Sequence, residues 1–151
     1  SEQADGIIVD WQLFRHKAPQ DSKCLIPSLE RFRSHYGQFP ENVIGDRGFH
    51  SENNSQYLVE QRIFYGICPK SVSALNEALQ NFEFMDHQRR RAQTEGRIGI
   101  IQNVFLGDPF RSKGFESREL HVVIAILTHN LWVIARLPKA EEEKIKHRQV
   151  A

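Results

Sequence analysis

Apolar and polar positions alternate at the start of the chain: Ile7, Val9, Trp11 and Leu13 are interleaved with Asp10 and Gln12. A period of two predicts a half-buried strand over Gly6 to Phe14. The period then changes. Leu25, Leu29, Phe32 and Tyr36 fall on one helical face, with Asp21 or Ser22 as its cap and Gly37 as its end. Pro27 lies inside this pattern and predicts an irregular first turn. Asn42 to Asp46 is a short strand with Val43 and Ile44 inside, running into the turn Gly45-Asp46-Arg47-Gly48. Ser51 caps a second helix to about Arg62, and Phe64 to Cys68 is a third strand stopped by Pro69. Ser71 to Asn81 is a polar connection. A long helix covers about Phe84 to Leu106 and breaks at Gly107-Asp108-Pro109. The last helix runs from about Ser117 to Leu137, with Pro138 as its stop.

Strands alternating with helices predict an α/β domain with parallel neighbours and right-handed crossovers. Residues 1–137 read as one domain and 138–151 as a charged tail. Leu120 to Leu137 is apolar over the lower length limit of a spanning helix. It contains His121, His129, Asn130 and Arg136, which are costly in lipid, so a buried core helix is expected. No internal repeat, P-loop or dinucleotide glycine pattern occurs.

Composition adds little. A net charge of +1 on 151 residues restricts any nucleic-acid contact to a local patch. Cys24 and Cys68 are far apart and form no CxxC pair, which fits a reducing compartment and argues against a disulfide scaffold or zinc knuckle.

Three features could carry chemistry. Asp46 sits at the carboxyl end of a short strand, the edge where catalytic groups gather in open α/β sheets, and Gly45 and Gly48 permit a sharp turn and close approach there. An Asp that merely opens a turn accounts for the same residue. Glu95 lies mid-helix on a stripe with Arg91, Ile98 and Gln102, bordering the apolar side; an i,i+4 ion pair with Arg91 on a solvated face is the alternative. Gly96 and Gly99 weaken that helix, at roughly 1 kcal/mol each, and suggest that something packs closely there. Between Arg89 and Arg118, seven basic residues face three acidic ones. Arg89, Arg90, Arg91, Arg97, Arg111 and Lys113 form either a phosphate-binding stripe or an ordinary solvated face. The histidines show no metal-ligand spacing; His121 and His129 read as core or boundary residues.

Three segments together resemble the DDE transposases of bacterial insertion sequences, over nearly the whole chain from Asp5 to Leu137. They are Asp46-Arg47-Gly48-Phe49-His50-Ser51, Arg91-Ala92-Gln93-Thr94-Glu95-Gly96-Arg97-Ile98-Gly99, and Glu119-Leu120-His121-Val122 with the later His129-Asn130-Leu131. They are similar to the second-aspartate motif, the glutamate helix and the closing helix of that family. Each motif alone is weak, and their order and spacing together are specific.

The resemblance implies a ribonuclease-H-like core, incomplete at its N-terminus, with C-terminal helices. It implies Asp46 and Glu95 as the second and third of three metal-binding carboxylates, with Mg²⁺, or Mn²⁺ in its place, as the cofactor. Two ions are expected only with the first Asp. The implied reaction is phosphodiester hydrolysis and strand transfer in DNA transposition. Arg91 matches an arginine suited to DNA contact. Two positions depart from the family pattern: Gln88 stands where it has tyrosine and Gln102 where it has lysine. Asp5 and Asp10 match the first carboxylate by type only, and the expected place for that residue is an N-terminal segment outside this chain. By itself the chain is then expected to be inactive, a transposase-derived DNA-binding or protein-interaction domain being the alternative function. Expected partners are insertion-sequence ends and target DNA, with no membrane, in a bacterial cytoplasm. The Gly6 to Phe14 strand is expected to leave an open edge that drives homodimer or higher assembly.

Overall fold

In a computed structural model the described residues are 1–3, 5–107 and 111–150, with side chains described for all of these but Ala92 and 138–150. The elements are α1 (Asp21–Tyr36), β1 (Asn42–Gly45), a 3₁₀ turn (Arg47–Phe49), α2 (Glu52–Glu60) and β2 (Phe64–Ile67). They continue with α3 (Val72–Ala78), α4 (Phe82–Ile100), a π-helical segment (Ile101–Leu106) and α5 (Phe115–Val150). The chain divides into two compact units. One is residues 10–93; the other joins residues 1–9 to 94–151.

The first unit is built on a parallel pair. β1 and β2 pair with Asn42 opposite Phe64 and Gly45 opposite Ile67, as the alternation of strand and helix predicts. Two parallel strands cannot be joined by a tight turn, and α2 makes the connection. Leu25 and Leu29 of α1 pack with Leu58 of α2, Ile63 and Ile67 into one cluster, flanked by Phe39, Val43, Phe49, Tyr57 and Tyr65. Leu25 and Leu29 are the buried part of the predicted α1 face, while Tyr36 at its end is exposed and lies against Phe32. Gly37 closes α1 at φ 76°, in the left-handed region, its N–H donating to Arg33 O. Gln20 rather than Asp21 or Ser22 occupies the cap position, and Asp21 begins the first turn. There its charge complements the helix dipole. Ser51 caps α2 as predicted, its Oγ accepting from Asn54 N. The polar connection Ser71 to Asn81 folds as a short helix, α3, capped by Ser71.

Asp10 is the buried charge of this unit. Arg31 Nε donates to its Oδ1 at 2.7 Å, Arg31 Nη2 to its Oδ2 at 2.8 Å, and Ser28 Oγ to the same Oδ2 at 2.6 Å. Burial pushes the Asp10 carboxyl up. The bonds from Arg31 and Ser28 and the guanidinium charge outweigh it, and the net displacement is below 3.8.

In the second unit the predicted strand over Gly6 to Phe14 is absent. Residues 1–9 form a small turn instead, with one antiparallel bridge between Glu2 and Ile8 and Gly6 at φ 97°. A side chain takes the place of a strand partner. Asn130 Oδ1 accepts from Ile8 N and Asn130 Nδ2 donates to Ile8 O, both at 2.9 Å. The open edge expected of that strand is therefore closed at Ile8. The alternation of faces is not found either: Asp10, expected on the polar face, is buried, while Ile7, Ile8, Val9, Trp11 and Leu13 are all half-buried. At Ile8 the amide of Asn130 supplies both backbone bonds.

α5 differs from expectation twice. It continues through Pro138 to Val150. Proline removes one backbone donor, but Ala140, Glu141, Glu142, Glu143 and Lys144 are strong helix formers and carry the helix on. It is also not a buried core helix among the described residues. Phe115–Leu137 is long and apolar enough to cross a membrane by length and composition, and 17 % of that stretch is buried. Ala125, His129 and Val133 line the covered side. His129 is fully buried, with its ring near Phe105 and Trp132 and no hydrogen-bond partner for Nε2 among the described residues.

The Asp10 ion pair generates a pH-dependent prediction. A carboxylate held below its unfolded value stabilises the fold above about pH 3.8, and that contribution is lost as pH falls through the folded value. Asp10→Asn is expected to cost about 1–3 kcal/mol at neutral pH, since it leaves the Arg31 guanidinium without its counter-charge. Urea unfolding measures this, and the gap between variant and parent should narrow at about pH 3. A gap independent of pH would show that the ion pair contributes nothing through its charge.

Candidate active site

β1 delivers Asp46 to the end of a parallel strand, and the turn that follows is held by the Asp46 side chain itself. Oδ1 accepts from Gly48 N at 2.8 Å, which caps the 3₁₀ turn Arg47–Phe49. Asp46 thus does open a turn, and its carboxylate is also fixed at the strand end, half-buried. Gly45 and Gly48 both lie where a Cβ would be crowded by side chains. A Cβ at Gly45 would lie 3.3 Å from the Phe49 ring. A Cβ at Gly48 would come 2.7 Å from Asp21 Oδ2 and 3.0 Å from Asp46 Oδ1. Both carboxylates therefore lie close to Gly48.

Sequence reading offered Asp21 only as a candidate helix cap and did not single out the residue that brings it to this loop. Asn54, 1 % exposed, donates from Nδ2 to Ser22 O at 2.8 Å and to Phe49 O at 2.7 Å. One amide ties the first turn of α1 to the loop that follows Asp46. Farther along that loop His50 Nδ1 and Tyr65 OH of β2 lie 2.5 Å apart. Burial raises the Tyr65 hydroxyl above its usual range, so it keeps its proton as a partner for the imidazole.

Glu95 belongs to the second unit and is exposed on α4. Among the described residues nothing lies within 4 Å of a Cβ built at Gly96 or Gly99. Of the basic residues, Arg97 is committed within its own unit. Its Nη1 lies 2.6 Å from Glu2 Oε1, which also accepts from Thr94 Oγ1, and its guanidinium covers Gly6, where a Cβ would meet Cζ at 2.7 Å. Arg90 is exposed and pairs with Asp86 at 3.3 Å. Arg89, Arg111 and Lys113 are exposed and Arg91 is half-buried. Gln88, at one departing position, donates to Gly66 O of β2 at 2.7 Å.

Asp46 suits a hard divalent cation in kind, since Mg²⁺ takes carboxylate oxygens. In number the donors fall short: among the described residues no group of three His, Cys, Asp or Glu side chains could hold a metal. Neither sequence candidate for the first carboxylate fills the gap. Asp10 is occupied on both oxygens by Arg31 and Ser28, and Asp5 Oδ1 accepts from Ile7 N at 3.1 Å.

The Asn54 amide gives a direct test of how this loop is held. Asn54→Ala removes the bonds to Ser22 O and Phe49 O and is expected to cost about 1–3 kcal/mol. Hydrogen exchange should show the Gly48 amide, bonded to Asp46, losing protection. A loss of less than about 1 kcal/mol would mean that the loop stands without the clamp.

No curated protein and no solved structure matches the chain. The family profile described as "Transposase DDE domain" matches residues 2–131. That span takes in the Asp46 loop, the Glu95 helix and most of the apolar part of α5, and the chain belongs to the transposase DDE domain family.

Proposed function

We propose that the chain is part of a ribonuclease-H-like transposase core that acts on DNA ends by metal-dependent phosphodiester hydrolysis and strand transfer. Asp46 and Glu95 are the second and third metal-binding carboxylates in this reading. The observation that carries it is the Asp46 carboxylate, pinned at the end of β1 by Gly48 N–H, in a chain of this family. Mg²⁺, or Mn²⁺, would be held by these carboxylates and would supply nucleophile activation and charge neutralisation at the scissile phosphate.

The protein's own part is to fix the donors. Asn54 sets the loop, Gly48 N–H orients one oxygen of Asp46, and the other oxygen is left for a metal. Asp21 adds negative charge at the same turn. With Asp10 held on both oxygens by Arg31 and Ser28, this reading assigns the chain two of the three carboxylates. It would then bind the metal weakly and cleave no DNA. That shortfall favours, for this chain alone, the second reading: a transposase-derived domain that binds DNA without cutting it.

DNA contact would come from exposed cations. In this reading Arg89, Arg90, Arg91, Arg111 and Lys113 would contact phosphates. Arg97 contributes structure rather than affinity, since its charge is taken up by Glu2. These side chains read no base edges and would position the duplex without specifying its sequence.

Salt dependence tests this. Affinity for a short duplex, measured by fluorescence anisotropy, should fall with salt at a log–log slope of about −0.9 for each phosphate neutralised. Replacing Arg89 and Arg90 together by Ala should flatten that slope by about two. Arg97→Ala, if folded, should leave it nearly unchanged. A slope insensitive to Arg89 and Arg90 would remove the basic stripe from the interface.

A further inference from the structure

α5 presents two different sides. Ala125, His129 and Val133 are covered, and Asn130 is bonded to Ile8. On the other side Leu120, Ile124, Leu127, Leu131 and Ile134 are each 50–60 % exposed. Their spacing alternates four, three, four and three residues. That is the a/d repeat by which one helix packs along another. The stripe spans roughly 20 Å at 1.5 Å per residue.

Val123 widens the stripe at 40 % exposure. At roughly 100 Å² apiece, these six apolar side chains leave about 600 Å² uncovered, at the upper end of the 300–600 Å² typical of the largest patch on a monomer. A standard stable interface buries about 800 Å² on each partner. The exposed area is close to what one dimer interface needs.

We propose that this stripe pairs with the same stripe of a second copy of the chain, as a two-fold helix pair. The surface is self-complementary in the way a two-fold interface requires, an apolar row meeting an identical apolar row. No Asp, Glu, Lys or Arg lies between Glu119 and Arg136, so no like-charge repulsion opposes the pairing in either orientation. Apolar burial drives it, and salt does not weaken it. A lipid surface fits the stripe less well. The opposite side of the same helix carries His129 and Asn130 and is occupied by the segment at Ile8, and no row of Lys or Arg flanks the apolar face as in helices that lie on membranes. The surface differs from the strand edge that the sequence suggested, and it does not depend on the metal reading of Asp46.

Sedimentation equilibrium of the 151-residue chain tests the pairing. A reversible dimer is expected between about 1 and 100 µM, unchanged by added salt. Leu127→Glu, at the middle of the stripe, should weaken dimerisation at least about tenfold while the far-ultraviolet spectrum keeps its helical signal. A milder variant guards against a misfolded one. Leu127→Cys, with Cys24→Ser and Cys68→Ser, should cross-link between chains on mild oxidation, because mid-stripe residues meet in both orientations. Glu77→Cys on α3, in the same background, should not. A monomer throughout that range, a dimer indifferent to Leu127→Glu, equal cross-linking at both positions, or transfer of the chain to phosphatidylcholine vesicles in place of dimerisation would each overturn the proposal.

Discussion

A single buried amide, that of Asn54, donates to Ser22 O at the start of α1 and to Phe49 O just after the Asp46 turn. Ser22 O belongs to the first turn of α1 and Phe49 O closes the 3₁₀ turn, so one amide bonds both segments. Leu25, Leu29, Leu58 and Ile67 supply the apolar burial that holds α1 and α2 on the strand pair. Burial is non-directional, however, and leaves the loop free to shift by an ångström. The Asn54 bonds remove that freedom. They bring Asp21 against Gly48 and leave one oxygen of Asp46 fixed by Gly48 N–H.

The second unit solves a comparable problem by similar means. Asn130 reaches the backbone of Ile8 with both ends of its amide, and Arg97 closes over Gly6 while paired with Glu2. Polar side chains here do the joining that a sheet would otherwise do. The consequence is an economy of apolar contact: α5 covers one narrow side and leaves the other bare among the described residues.

Local signals were legible in the sequence. Ser51 as a cap, Gly37 as a stop, the two short strands around Val43 and Tyr65, and the break after Leu106 all depend on chemistry within a few residues, and all are found. Asp46 at a strand end was legible for the same reason. Tertiary partners were not. Asn54 lies third in a helix whose neighbours are Glu52, Asn53 and Ser55, and nothing in that polar run marks it as the buried member. Asp21 looked like a helix cap, and only the fold sets it beside Gly48. The alternation of Ile7 to Leu13 did not carry over into a strand, because Asp10, read as polar-face, is drawn inside by Arg31 and Ser28. The apolar run of α5 likewise announced burial without saying against what.

The central claim is that the Asp46 loop is a divalent-cation site built on a transposase scaffold. Paramagnetic broadening of amide signals by Mn²⁺ tests it most directly, since the effect falls steeply with distance and needs only weak binding. The account predicts that Gly48 and its neighbours broaden first on titration, and that Asp46→Asn abolishes this while the rest of the spectrum is preserved. Broadening that avoids Gly48, or that is equal in Asp46→Asn, would contradict it.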